Sequence, residues 1–460
     1  MSKYIVLLAI IAMLMVGSAM ADDPADPKGG NASSASAPAA KQNGAPAKMQ
    51  CRDVKIQNLR PTNQCGINIF ETPKDDTEQV PYEGFKLDWG AAFSQSLQSL
   101  KHSNTAAPRI VSGVNANQLA VMGPGFNLAG ANLYLNAQLA SGVRLQLTTY
   151  LSSRHHNEAW VKDGYVQMDE LPINLGPFNA LWARFVTVKV GHMEVNFGDA
   201  HFRRSDNGNG VYNPFVGNYL LDSFTTEIGG EVYLRANGIM AMGSITGGEI
   251  KGNVLNPQSR RPAFIGKLGF DRQVKPDLRF RLTGSNYIVR KSPGDTLYGG
   301  DRAGPPYYFA LENTQATATS QAFSGTINPG FSYKVTAYQV NPFVKYKGLE
   351  LFGVIEHATG RTAAEIRERT WNQYAGDVVY RFADDKWFAG VRYTWAKGEL
   401  AGIANKVDVD RTQVAVGYFL NHYLLMKAEF VNQNYNNFPA TDIRNGGKFH
   451  GFVGQAVLAF

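Results

Sequence analysis

The stretch Trp387 to Ala396, WFAGVRYTWA, determines which fold class this chain belongs to. Apolar or aromatic side chains occupy every second position, and small, charged or hydroxyl-bearing ones lie between them. The first set is Trp387, Ala389, Val391, Tyr393 and Trp395, and the second is Gly390, Arg392 and Thr394. Successive side chains of a strand point to opposite faces, so about ten residues of alternation indicate a strand between lipid and water. A soluble antiparallel sheet alternates too, so the number of strands and their connections must decide.

The alternation recurs from Phe85 to Phe460 and predicts about 16 strands. We place them at 85–98, 126–140, 143–155, 158–171, 186–197, 223–236, 238–250, 263–274, 278–291, 330–347, 349–360, 369–382, 387–399, 408–421, 423–435 and 448–460. A barrel of this size is wide enough to leave an aqueous channel, whereas about eight strands would be filled by side chains.

The connections between these strands alternate in length. The tight ones are Ser141-Gly142, Asn237, Lys275-Pro276-Asp277, Gly348, Ala383 to Lys386, and Asn421-His422. The longer ones are 99–125, 198–222, 251–262, 292–329, 400–407 and 436–447. Two connections break the rule, because the one at Asn157 is short and 172–185 is long. Short turns opposite long loops are typical of bacterial outer-membrane barrels. The sequence therefore predicts an all-β fold, a transmembrane antiparallel β-barrel.

The composition agrees with this fold class. Charged residues make up 18% of the chain, aromatic residues 12%, and Gly accounts for 47 of 460 residues. Soluble domains carry about 25% charged residues. After the N-terminus there is no run of about 18 apolar residues, which excludes a helical membrane protein.

Three regions are expected ahead of the barrel, which covers residues 85–460. Residues 1–21 have the features of a signal peptide: Lys3, an apolar stretch from Tyr4 to Val16, and the cleavage site Ala19-Met20-Ala21. Residues 22–50 are rich in Ala, Ser, Pro and Gly and predict a disordered linker. Cys51 and Cys65 are the only cysteines, and in an oxidising compartment we expect them to form a disulfide. That disulfide would stabilise residues 51–84 as a periplasmic arm.

The chain stops on Phe460, which shares one face with Leu458 and Phe452. This ending resembles the terminal strand of outer-membrane barrels, whose last aromatic residue is read by the barrel assembly machinery. The resemblance implies a place in the outer membrane of a Gram-negative bacterium, with membrane lipid and that machinery as partners.

The segment Gly198 to Asp222, GDAHFRRSDNGNGVYNPFVGNYLLD, follows the fifth predicted strand, as does the inward-folded third loop of general porins. Its aromatic residues are poorly suited to a solvated external loop, so we expect the segment to fold into the barrel as a constriction. His201, Arg203 and Arg204 would then form an anion-selecting cluster. The alternative is an external loop or a contact between subunits.

Alternation also predicts which charges face the lumen. The basic ones are Arg144, Lys189, Arg235, Arg279, Arg281, Arg381, Arg392 and Lys427, and the acidic ones are Glu227, Glu231, Glu350, Asp377 and Glu429. This basic excess agrees with the formal net charge of +7 and favours a weak preference for anions. The alternative is that these charges pair across neighbouring strands.

The run Val188 to Gly198, VKVGHMEVNFG, resembles a strand motif of the phosphate-selective porin O and P family, in which a Val-Gly strand runs into a Pro-Phe-Gly-like corner. The resemblance implies a trimeric channel of 16 strands. Asn196 stands where the family tends to have Pro, and no ladder of lumen arginines is plain enough to transfer phosphate selectivity.

These features predict a porin for passive diffusion of small hydrophilic solutes or anions. Two alternatives remain: a fatty-acid-type transporter with Cys51 to Pro81 as an N-terminal hatch, and a scaffold barrel that conducts nothing. Catalysis is not expected, because the adjacent pair His155-His156 lacks a nucleophile motif nearby. The sequence shows no motif for a metal, another cofactor or a nucleic acid.

Overall fold

The computed structural model describes residues 55–72, 74, 80–152, 154 and 159–460. In this part of the chain 16 long strands form a closed antiparallel barrel, and a two-residue strand, Gly125–Phe126, joins the same sheet beside the first. The long strands are β1 Lys86–Ser103, β2 Gly130–Ala140, β3 Val143–Leu151, β4 Ala159–Met168, β5 Val186–Glu194, β6 Thr226–Ala236, β7 Ile239–Thr246, β8 Ala263–Lys275, β9 Leu278–Val289, β10 Lys334–Tyr346, β11 Leu349–Arg361, β12 Arg369–Phe382, β13 Trp387–Gly398, β14 Val407–Asn421, β15 Leu424–Asn436 and β16 Lys448–Ala459. The predicted fold class is confirmed.

Each strand pairs with its neighbours in the sequence, and β1 closes the barrel by pairing with β2 and β16. The alternation in β13 separates the two faces as predicted. The side chain of Val391 is 46% exposed on the outside, whereas Arg392 is fully buried inside. The carboxyl-terminal Phe460 extends the seam, because its N–H donates to Ala91 O and its ring contacts Trp89 with centroids 6.0 Å apart.

Tight turns occupy one end of the barrel, which we call the turn end. Asn237 and Gly238 join β6 to β7 with φ angles of 51° and 81°, a pair of left-handed residues suited to a two-residue hairpin. The long connection 172–185 also lies here and contains α1, Pro177–Phe185, which the sequence did not predict. No helix in the described part of the chain is long and apolar enough to cross a membrane. Asn157, the other exception, lies outside the described residues.

Two long connections at the opposite end fold back into the barrel. We call them the first inner loop (residues 195–225) and the second inner loop (residues 290–333). Val216 and Leu220 of the first loop, and Leu297 of the second, are buried in one cluster with inward-facing residues of the wall such as Val335. The apolar core of this molecule therefore lies inside the barrel.

Residues 55–72 of the predicted periplasmic arm also lie at the turn end, against the inner side of the barrel. We call residues 55–72 the N-terminal segment. Gln64 donates through its backbone to His422 O at 3.0 Å and through its side chain to Asp385 O at 2.9 Å. The ring of Phe70 is only 2% exposed and contacts the ring of Phe343. For these residues the prediction of an arm ahead of the barrel is wrong, because the charged wall provides partners for their polar groups.

The other N-terminal predictions are not tested. Residues 1–21 and 22–50 lie outside the described residues, and so does Cys51. Cys65 lies in a short 3-10 turn, Gln64–Gly66. Its pairing with Cys51 stays a prediction.

Candidate functional site

The first inner loop crosses the barrel from β5 and packs against β12 to β15. The ring of Phe215 is fully buried in a cluster with Val379 and Phe388 of the wall. The ammonium group of Lys427 donates to three carbonyl oxygens of the loop, at 2.9 Å (Gly210), 3.0 Å (Asn213) and 2.8 Å (Phe215). Gly198 to Asp222 therefore occupies the interior of the barrel. Its effect on a pore stays a prediction.

Both arginines of this loop are buried against carboxylates. Two guanidinium nitrogens of Arg203 lie 3.4 Å from Glu350 Oε2, and its Nη1 also donates to Asn68. Arg204 makes a bidentate pair with Asp222, at 3.0 and 2.6 Å. Such pairing cancels the charge that a passing anion would otherwise meet.

His201, the third member of the predicted cluster, is held at both ring nitrogens. Nδ1 lies 2.5 Å from Glu194 Oε1, and Nε2 lies 3.0 Å from Asn196 Oδ1. Burial lowers the pKa of His201 although Glu194 opposes this effect. Because the carboxylate of Glu194 lies against the ring, His201 adds no unpaired positive charge to the interior.

Three predicted arginines of the wall are likewise neutralised by carboxylates. The pairs are Arg279 with Asp271 (2.8 and 2.6 Å), Arg281 with Asp199 (2.8 and 2.8 Å) and Arg392 with Asp377 (2.7 and 2.8 Å). Asp377 and Arg392 are also direct neighbours in the register of β12 and β13. For these residues, pairing within the barrel describes the arrangement better than a row of free cations.

Arg381 is also paired, because its Nε donates to Glu350 at 2.7 Å. The remaining predicted cations, Arg144, Lys189 and Arg235, line a cavity of about 200 Å³. Arg144 donates to the amide oxygens of Gln146 at 2.9 Å and Gln167 at 2.6 Å rather than to a carboxylate. Lys189 Nζ lies 3.4 Å from Tyr233 OH and 3.9 Å from Glu231. The Nε atoms of Arg144 and Arg235 are buried without a hydrogen-bond partner in the structure. These three side chains have the least neutralised charges of the predicted set.

The cavity lies between strands β2 to β6, the first inner loop and the N-terminal segment. Its basic lining residues are Arg60, Arg144, Lys162, Lys189, Arg204 and Arg235, and its acidic ones are Glu71, Asp163, Glu194 and Asp206. Six basic groups face four acidic ones, so the lining carries a modest positive excess. Polar side chains such as Asn136 and Gln146 complete the lining, which suits a hydrophilic occupant.

Two kinds of cavity residue escaped the sequence analysis. Lys162 and Asp163 are adjacent, yet both are buried, because Lys162 is an extra residue in β4 where the pairing with β3 shifts between Thr148 and Thr149. Simple alternation would turn only one of them inward. Arg60 and Glu71 were missed for a different reason, since the segment that holds them was expected outside the barrel. Among the described residues, no group of three or more His, Cys, Asp or Glu side chains could hold a metal ion.

No family model matches the sequence, and no curated protein matches it. The resemblance to the phosphate-selective porin O and P family is therefore not confirmed.

Several solved structures are similar in fold. OmpT of Vibrio cholerae in its trimer form has a TM-score of 0.48 and 11% identity, covering 82% of this chain and 100% of that one. The anion-selective porin from Comamonas acidovorans has a TM-score of 0.48 and 9% identity, over 82% and 100%. The outer membrane channel DcaP of Acinetobacter baumannii has a TM-score of 0.46 and 10% identity, over 83% and 99%. At these values the likeness carries no conclusion about the solute, selectivity or assembly of this chain.

Proposed function

We propose that this chain is a porin of a Gram-negative outer membrane that conducts small hydrophilic solutes by passive diffusion. The observation that carries the proposal is the opposite chemistry of the two faces of a closed barrel. Outward residues such as Val378 and Val414 are exposed, as a lipid-facing wall requires, whereas inward residues such as Asp377 and Gln413 are polar. A transporter for fatty acids would need an apolar path, which the polar cavity lining does not provide.

The proposal includes an orientation and a route of assembly. Short turns of bacterial barrels face the periplasm and long loops face the outside, so the N-terminal segment would enter from the periplasm. The signal peptide 1–21, the linker 22–50 and the assembly signal at Phe460 remain parts of the proposal. A homotrimer rests on the resemblance of residues 188–198 alone.

A weak anion preference is the finer part of the proposal. Arg144, Lys189 and Arg235 support it, because they face open space and are not cancelled by close bidentate carboxylates. Arg203, Arg204, Arg279, Arg281 and Arg392 support it less, because each is paired. Charges at the narrowest part of a water path outweigh equal charges in a wide vestibule.

Conductance in a planar bilayer under a salt gradient tests the proposal. We expect discrete channel openings and a reversal potential shifted towards anions. A folded barrel that conducts no ions, even after removal of the N-terminal segment, would favour the non-conducting scaffold. Saturable binding of a long-chain fatty acid without ion conductance would favour the hydrophobic transporter.

A further inference from the structure

The N-terminal segment spans the mouth of the barrel at the turn end. On one side Gln57 interacts with the turn between β2 and β3, where its side-chain oxygen accepts from Gly142 N at 2.9 Å. On another side Gln64 bonds to the turns after β12 and β14. Between them the guanidinium of Arg60 lies 3.7 Å from the ring centre of Tyr212, in the first inner loop. The segment is therefore attached to several sides of the mouth and to the loop beneath it.

One dipeptide of this segment enters a pocket in the wall. The ring of Phe70 lies 5.3 Å from the ring of Phe343 and 4.3 Å below the guanidinium of Arg281. The neighbouring carboxylate of Glu71 lies 2.7 Å from Arg281 and 3.0 Å from Lys267. An aromatic group and an anion are thus held together, the first by edge-to-face ring contacts and a cation–π contact and the second by charge.

The charges of this pocket balance only when the segment is in place. The cations are Lys267, Arg279 and Arg281, and the carboxylates are Asp199, Asp271 and Glu71. Glu71 is the member of the set that the N-terminal segment supplies. Burial alone would raise the pKa of Glu71, but Arg281 and Lys267 hold it well below its usual range, so the side chain is ionised at neutral pH.

Withdrawal of the segment would leave an excess positive charge in a buried site. An uncompensated buried charge is costly, so the emptied pocket would favour an anion. The rings of Phe343 and Phe202 contact the ring of Phe70, so the space that this ring now fills would suit a flat apolar group. A small inorganic anion would satisfy the charge alone, whereas a carboxylate on a flat apolar group would satisfy the charge and the ring contacts.

We propose that Phe70 and Glu71 are built-in occupants of a solute site, whose ligand is a carboxylate attached to a flat apolar group. The N-terminal segment keeps the channel closed until such a solute competes for the pocket. This inference rests on the proposed porin function and adds to it a class of solute and a means of opening.

The test uses planar-bilayer recordings of the full chain and its E71Q variant. Loss of the negative charge that binds both Arg281 and Lys267 weakens the closed state, so we expect the open fraction to rise at least on the order of tenfold. The matched control is E83Q, because Glu83 is an exposed carboxylate that lies 2.9 Å from Lys86. The control should open like the parent chain.

Benzoate serves as the probe solute. Acetate, which has the carboxylate without the ring, and benzyl alcohol, which has the ring without the carboxylate, serve as its two controls. Benzoate should open the parent channel, and acetate or benzyl alcohol at equal concentration should not. In E71Q benzoate should bind to the folded, detergent-solubilised protein at lower concentration than in the parent, because its competitor is weakened. That binding measurement does not depend on conductance.

The outcomes separate this inference from the porin function. If the parent chain conducts freely, E71Q is identical to it and benzoate changes neither, the closing segment and its site are refuted while the porin stands. If acetate opens the parent as well as benzoate does, the aromatic part of the site is wrong. If neither E71Q nor a chain lacking residues 55–72 conducts, although both migrate as folded barrels on unboiled detergent gels, the porin function fails and the inference falls with it.

Discussion

The two sides of the barrel interior use the same residue types in different ways. Along β12 to β15 the first inner loop fills the space, and Arg392 is fully buried between Asp377 and the ring of Tyr219. Along β2 to β6 a cavity remains, and Arg144 reaches it with amide partners only. Both arginines lie on inward positions of alternating strands. Their surroundings differ because of the loop, which the strand pattern does not encode.

The difference shows that an inward charge becomes available to solutes only where no chain segment packs against it. On the packed side, along β12 to β15, Lys427 donates three hydrogen bonds to loop carbonyls and thereby holds the loop against the wall. On the open side, along β2 to β6, Lys189 Nζ has longer contacts, at 3.4 Å to Tyr233 OH and 3.9 Å to Glu231. We therefore expect substitutions on the packed side to change stability and those on the open side to change selectivity.

The largest effect is expected for R392M. It leaves Asp377 buried without its guanidinium, and the loss of one partner of a buried pair costs about 3 to 5 kcal/mol. Urea unfolding in lipid vesicles would measure the change in the free energy of unfolding. R144M on the open side is the matched control and should lose less, because it leaves neutral amides and no buried carboxylate without a partner. Equal losses for the two variants would contradict the division into packed and open sides.

The next effect is expected for K427M, which removes the donors that hold the first inner loop. Hydrogen bonds to charged groups contribute about 1.5 to 3 kcal/mol each, so the loop should detach more often and single-channel conductance should rise. The control is K448M, because Lys448 is exposed at the start of β16. Unchanged conductance and stability in K427M would show that the apolar contacts of Phe215 suffice to hold the loop.

The same comparison explains how much of the molecule the sequence reveals. The strands were predictable because the polarity of each residue in an alternating strand indicates whether it faces outward or inward, as Val391 and Arg392 do. The interior was harder to predict, because its contacts join residues far apart in the chain. Glu71 meets Lys267 and Arg281 across the barrel, and no local pattern marks such a contact.

Local irregularities also limited the prediction of the site. An extra residue in β4 turns both Lys162 and Asp163 inward, although a strict period of two allows only one. The inward position of Gly198 to Asp222 was anticipated from its apolar content. The buried partners Glu350 and Asp222, which neutralise its arginines, could not be assigned without the structure.

A smaller effect on stability but a clear change in selectivity is expected for the double variant R144Q/K189Q. Removing two cations from the cavity lining should move the reversal potential in a salt gradient towards cations. The free energy of unfolding should change less than in R392M, because neither group is the close partner of a buried carboxylate. K101Q is the control, since Lys101 is exposed. A reversal potential equal to that of the parent would show that the cavity is not on the conduction path.

The smallest effect concerns the second inner loop, whose packing inside the barrel we expect to depend on pH. Burial first, and then the charge of Glu227, raises the pKa of Asp295 to about 8. Its ordinary pKa is about 4, so the folded loop binds a proton that the detached loop releases. The stabilisation by the protonated form is complete below pH of about 4 and decreases as the pH rises towards 8. Hydrogen exchange of the amide of Leu297, which donates to Asp295 at 3.0 Å, should therefore speed up across this range beyond its intrinsic increase. In D295N, which carries no titrating group at this position, only the intrinsic increase should remain. An identical pH profile for the parent and D295N would show that Asp295 does not make the packing of this loop depend on pH.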